Sequence, residues 1–213
     1  MSNLPTRRQA SMALGSWLGL AASTTHLAVD ASTVSQDQAA WAALRSGGHV
    51  LLIRHARAPG TFDPPEFKLD ECSTQRNLND EGRAQAKRLG ELVRAMNVPV
   101  HRVLSSEWCR CVETAQLAFG ADAVSTDKLL SSPTQLSAQQ RIKHTQLIRE
   151  EIKLYTLNKT KLALRPNLAM VTHMFNIQDI TGENVAEGEI LVVTSAESNS
   201  KNPMRVIGRV STT

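Results

Sequence analysis

The feature that most constrains the fold is a short apolar run, Val50-Leu-Leu-Ile53, entered from Gly47-Gly48-His49 and ending on Arg54-His55. A strand wetted on one face alternates apolar and polar residues, and this run does not alternate. It therefore reads as a central strand buried on both faces, which requires helices on both sides of its sheet. The flanking segments supply them. Residues 36–45 have helical composition and stop at Gly47-Gly48. Asn79 caps a helix predicted over 80–96, with Ala84, Leu89, Leu92, Val93 and Met96 as its apolar stripe. A helix is expected over 107–119, and a helical region over 131–155 with Leu147, Ile148 and Ile152 facing inward. Strands are expected over 100–104, 169–172, 189–194 and 204–210, the last two forming a hairpin across the turn-rich 199–203. The class is α/β, with a mostly parallel central sheet and an antiparallel addition from the hairpin. Aromatic residues make up only 4% of the chain, so its core must be aliphatic.

Residues 1–31 read as an export signal. Arg7-Arg8 precede a modestly hydrophobic run from Met12 to Ala22, and small residues follow, with Val29-Asp30-Ala31 or Ala21-Ala22-Ser23 as cleavage sites. The paired arginines are similar to a twin-arginine signal, although Gln9-Ala10 stand where apolar residues are usual. The run is too short for a stable membrane anchor. A periplasmic or otherwise exported location is thus expected. Residues 32–46 then form a linker and N-terminal helix, and 47–213 form one domain. Removing Arg7, Arg8 and Asp30 lowers the net charge from +4 to +3. The basic residues are scattered among acids, which argues against nucleic acid and for a small anionic substrate. In an oxidising compartment Cys72 could pair with Cys109 or Cys111, whereas Cys109 with Cys111 is disfavoured. No histidine or fourth cysteine stands at ligand spacing for zinc, and neither a metal nor a cofactor is expected.

Four segments place polar residues just past strand ends or at helix starts, where open α/β sheets build their sites. They are Leu51-Leu-Ile-Arg-His-Ala56, Arg76-Asn-Leu-Asn-Asp-Glu-Gly82, Ser105-Ser-Glu-Trp-Cys-Arg-Cys-Val-Glu-Thr-Ala115 and Val171-Thr-His173. Three arginines and two histidines would converge, a set suited to a phosphoryl group. In this order the segments resemble the signatures of the histidine phosphatase (phosphoglycerate mutase-like) superfamily, branch 1, from about residue 47 to the C-terminus. The resemblance implies a three-layer α/β/α fold and a phosphatase acting on a phosphomonoester or phosphohistidine. His55 would be the nucleophile that becomes phosphohistidine, with Arg54, Arg76, Arg110 and His173 binding the phosphate.

Some residues depart from the family pattern. Ala56 stands where glycine is usual, which matters only if that position needs φ > 0. Met174 follows His173, where the acid-phosphatase and phytase branch has its aspartate donor. The general acid is unidentified, with Asp63, Glu66 and Asp127 as candidates by their loops alone. Arg57 lies close enough in sequence to touch phosphate or to be a solvated charge. A phosphomutase and a non-catalytic phosphate-binding protein on the same fold are the competing readings. The loops 58–73 and 131–140 would set specificity, and neither carries chemistry that names a substrate.

Overall fold

The computed structural model describes residues 31–157, 165–197 and 200–212. The export segment expected over 1–31 therefore lies, but for Ala31, outside the described residues. The elements are α1 Ala31–Ser46, β1 Val50–Arg54, α2 Asp80–Ala95, β2 Val100–Ser105, α3 Cys109–Phe119, β3 Val124–Thr126, α4 Ala138–Leu157, β4 Asn167–Thr172, α5 Met174–Thr181, β5 Ile190–Ser195 and β6 Met204–Val210. One six-stranded sheet has the order β3-β2-β4-β1-β5-β6. It is parallel from β3 to β1 and antiparallel where β5 meets β1 and where β6 meets β5.

The run that does not alternate in hydrophobicity does alternate in destination. Leu51 and Ile53 point with Ala169, Val171 and Val192 into a core closed by Leu44, Leu89, Val93 and Ala115 of α1, α2 and α3. Val50 and Leu52 point with Leu168, Met170 and Leu191 into a second core closed by Ile148, Ile152 and Ile177 of α4 and α5. Helices thus cover both faces, giving the expected three layers. Each of Leu51, Leu52 and Ile53 is fully buried, and each such burial contributes roughly 1.5–3 kcal/mol.

Local chemistry moves several boundaries. The region 131–155 is not one helix: a 3₁₀ turn at Pro133–Gln135 comes first, and α4 starts at Ala138. There the Ser137 hydroxyl accepts from the Gln140 N–H while Gln140 Oε1 accepts from the Ser137 N–H, a reciprocal cap that sets the start. Leu147, Leu92 and Ala84 are exposed, contrary to the expected stripes, which rest on Ile148 and Ile152 in α4 and on Ala86, Leu89 and Val93 in α2. The edge strand β3, which follows α3, and the short α5, which follows β4, have no sequence pattern of their own. Among the described residues no helix is long and apolar enough to cross a membrane.

Gly47 and Gly90 are among the glycines required by contact. Gly47 has φ +74°, and a Cβ there would stand 1.7 Å from the Arg165 carbonyl oxygen, so only glycine lets α1 turn into β1. Gly90 lies where α2 crosses α3, and a Cβ would stand 2.0 Å from the Ala118 carbonyl oxygen. Helix propensity alone favours alanine at Gly90 by about 1 kcal/mol. The clash with rigid backbone outweighs this, so Gly90→Ala should destabilise by about 1–3 kcal/mol in urea unfolding; a variant as stable as the parent would show that the helices can separate freely.

Candidate active site

The parallel order sets the site. Arg54 pairs with Thr172 and Ser105 with Val171, so the C-terminal ends of β1, β4 and β2 lie level. The ladder runs one residue further: the His55 N–H donates to the Thr172 carbonyl at 3.0 Å and the Ser106 N–H to the Val171 carbonyl at 2.9 Å. His55, Ser106 and His173 therefore leave adjacent strands side by side. Arg76 arrives from the loop before α2, and Arg110 from the first turn of α3. Arg54, His55, Arg76, Arg110 and His173 all line one cleft.

His55 is buried, and its Nδ1 lies 2.8 Å from the Ala56 carbonyl oxygen. A carbonyl only accepts, so Nδ1 carries the proton and Nε2 keeps its lone pair. Nε2 faces Nη2 of Arg76 at 3.5 Å. Burial, and then the charge of Arg110, hold the His55 pKa well below its ordinary value; Arg76 and Arg54 act in the same direction, and only the bond to Ala56 opposes them. Ala56 is accommodated without strain, since among the described residues Asn97 is the only non-glycine with positive φ. Its N–H donates to Thr114 Oγ1, whose hydroxyl donates in turn to the Arg110 carbonyl, tying α3 to the loop after β1.

His173 lies with its ring centroid 5.7 Å from that of His55. Its Nδ1 faces the purely donating Nη2 of Arg110 at 3.5 Å, so its Nε2 carries the proton and donates to Ser106 Oγ at 2.8 Å. Burial first, then His55 and Arg110, keep this ring neutral as well. Both of its nitrogens thus have protein partners.

Each arginine has an anchor. Arg54 Nη1 donates to the Val185 carbonyl at 2.9 Å, and Arg76 Nη1 donates to the Ala58 carbonyl. Glu187 lies 3.5 Å from Arg54 and 3.8 Å from Arg76. Arg110 is gripped by both oxygens of Asp63, at 2.8 and 3.1 Å. Three guanidinium groups face two carboxylates and two neutral imidazoles, an excess of positive charge suited to an anion. Among the described residues the buried Nε of each of Arg54, Arg76 and Arg110 has no hydrogen-bond partner.

The remaining candidates separate. Asp63 lines the cleft, but its pKa is lowered by hydrogen bonds from Arg110 and the Arg76 N–H, which outweigh its burial. Asp127 spends its carboxylate on the Leu129 N–H, and Glu66 is exposed and outside the cleft lining. Arg57 turns to Glu81 at 3.2 Å and is not among the lining residues. The two loops expected to set specificity do form the outer wall, through Thr61, Phe62, Ser132 and Thr134, joined by Met174 and Phe175. Glu187 was not anticipated from sequence, because only the antiparallel placement of β5 beside β1 brings the loop before β5 to the arginines. The loop before α2 is tied to the start of α3 by a Cys72–Cys109 disulfide, which resolves the cysteine pairing and leaves Cys111 free and buried.

Residues 50–131 match the family model described as the histidine phosphatase superfamily (branch 1). Among solved structures, the protein histidine phosphatase SixA complexed with tungstate shares the fold with a TM-score of 0.50 at 16% identity, covering 77% of this chain and 97% of its own. The α-ribazole phosphatase from Shigella flexneri does so with a TM-score of 0.53 at 15% identity, covering 77% of this chain and 96% of its own. At these identities the likeness is one of fold. No curated protein matches the chain by sequence. Over residues 50–131 the chain is thus similar to branch 1 of the histidine phosphatase superfamily, and it shares its fold with these solved structures.

Proposed function

We propose that this protein is a phosphatase that removes phosphate from a small phosphorylated substrate through a phosphohistidine formed on His55. The observation that carries the reading is the Nδ1–H bond to Ala56, which leaves the lone pair of Nε2 directed into a cleft walled by Arg54, Arg76 and Arg110. The Nε2 lone pair forms the P–N bond while the P–O bond to the leaving group breaks, its electron pair leaving on oxygen. Water then attacks phosphorus as the P–N bond breaks; one of its protons stays on the phosphate, the other passes through solvent to the departed oxygen, and inorganic phosphate leaves with the ring neutral again. The arginines offset the charge that a loose transition state spreads over the equatorial oxygens. Among the described residues no lining carboxyl group is free to protonate the leaving oxygen, since Asp63 is held ionised. General acid assistance is worth roughly 10²–10⁴-fold, so the enzyme should favour aryl phosphates or phosphohistidine, whose leaving groups are good, over simple alkyl esters.

The test is turnover of p-nitrophenyl phosphate in chelator-treated buffer, followed by recovery of a protein-bound phosphate that is acid-labile and base-stable. Absence of both from folded protein would remove the phosphatase reading and favour a binding protein. The outer wall, with Thr61, Phe62, Ser132, Thr134, Met174 and Phe175, holds no cation for a second phosphate, so nothing there favours a mutase. The Cys72–Cys109 disulfide supports the further proposal that the chain works in an oxidising, extracytoplasmic compartment. Fractionation of cells should find a shortened protein outside the cytoplasm; a full-length cytoplasmic protein would overturn that part.

A further inference from the structure

Asp63 sits in the loop before α2 with its side chain 13% exposed. Its carboxylate accepts four hydrogen bonds. Oδ1 takes one from Arg110 Nη1 at 2.8 Å and one from the Arg76 N–H at 3.0 Å, and Oδ2 takes one from Arg110 Nη2 at 3.1 Å and one from the Trp108 indole at 3.2 Å. The remaining Nη hydrogens of Arg110 are also spent, on the Arg76 carbonyl at 3.3 Å and on His173 Nδ1 at 3.5 Å. Asp63 thus touches Arg110, Trp108 and the backbone of Arg76 together. A planar guanidinium held at both ends of its fork has one orientation available.

We infer that Asp63 is a positioning residue of the phosphatase: it sets the plane and place of the Arg110 guanidinium, and through it the ring of His173 and the charge felt by His55. The inference rests on the proposed phosphatase reading. It replaces the role of general acid for which Asp63 was a candidate, because a carboxylate that accepts at every available site has no proton to give. The placement is reinforced nearby, where Cys72 of the same loop is bonded to Cys109, the residue before Arg110. A shift of about 1 Å in such a group can cost on the order of 10²-fold in rate.

The test uses the whole mature chain and two variants. Asp63→Glu keeps the charge and displaces the carboxylate; Asp63→Asn keeps the size and replaces one acceptor by a donor that faces Arg110 or Trp108. Both should lower kcat for aryl phosphates by about 10–100-fold, by the same factor whatever the pKa of the leaving phenol. In Asp63→Glu the NMR titration of the His55 ring should also move upward as Arg110 withdraws. A loss that grows with leaving-group pKa would make Asp63 the general acid and overturn the inference. So would unchanged kcat in variants that melt cooperatively. If the parent protein turns over no phosphoester, the phosphatase reading fails by itself. The His55 titration still decides then: an upward shift in Asp63→Glu sustains the positioning role, and an unmoved titration ends it.

Discussion

His55→Ala should lower turnover of an aryl phosphate by about 10⁴-fold or more, as loss of a nucleophile does when the rest of a site survives. The three arginines and His173 remain, so tungstate or inorganic phosphate should still protect the variant against thermal unfolding. The acid-labile phosphoprotein should vanish. Because His55 is buried, alanine leaves a cavity, and His55→Asn serves as a fuller side chain that lacks the imidazole lone pair. A variant retaining a tenth of the parent's activity would exclude His55 as the covalent nucleophile. The protonation state gives a companion result. Burial and the three arginines push the His55 pKa well below 6.5, so the ring stays neutral and nucleophilic in mildly acidic buffer, where a free imidazole would be charged. By NMR the ring should titrate below 6.5, and Arg110→Gln should move it upward, since Arg110 is the largest charge contribution. The sign for stability follows: the unfolded chain binds this proton more readily than the folded one, so the His55 contribution is present above about 6.5 and is lost as pH falls from there toward the ring's lowered value in the folded chain.

Opening the Cys72–Cys109 bond should have the largest effect on stability. It closes a loop of sequence separation 37, for which chain entropy gives about 4 kcal/mol. The Cα atoms stand 5.7 Å apart, within the range that a disulfide spans without moving the backbone. In a chain of this size each kcal/mol shifts Tm by roughly 2–4 °C, so the Cys72→Ser, Cys109→Ser double variant should melt about 10 °C lower. Cys111 does not substitute as a partner: burial pushes its thiol up to about 12, and the thiol form is a poor attacking group. The same bond spans the loop that carries Asp63 and Arg76, so activity should fall at temperatures where the variant is still folded. If oxidised and reduced protein melt within about 2 °C of each other, the loop is held by Asp63, Arg76 and Gln75 without the covalent tie.

Much of this molecule is legible in the chain. The unbroken run Val50-Leu-Leu-Ile53 already demanded cover on two faces, and Asn79 marked a helix start at which its side chain does accept from the Gly82 N–H at 2.8 Å. Arg54, His55, Arg76, Arg110 and His173 could be nominated because they sit in segments at strand ends or just before and at helix starts, and because those segments resemble the signatures of the superfamily. These are short-range facts of periodicity and capping, which neighbouring residues decide. The Leu147 expectation failed because the stripe was assigned without knowing which side of α4 meets the sheet. What only the tertiary structure decided is the partnership among groups far apart in sequence. Glu187 reaches Arg54 and Arg76 because β5 pairs antiparallel with β1. Asp63 is an ionised clamp and no acid because Arg110, Trp108 and Arg76 surround it. Cys72 takes Cys109 and not Cys111 because α3 turns one cysteine toward the loop and buries the other in the core. Charge state and pairing depend on distance through space, and that quantity is set by the order of strands in the sheet.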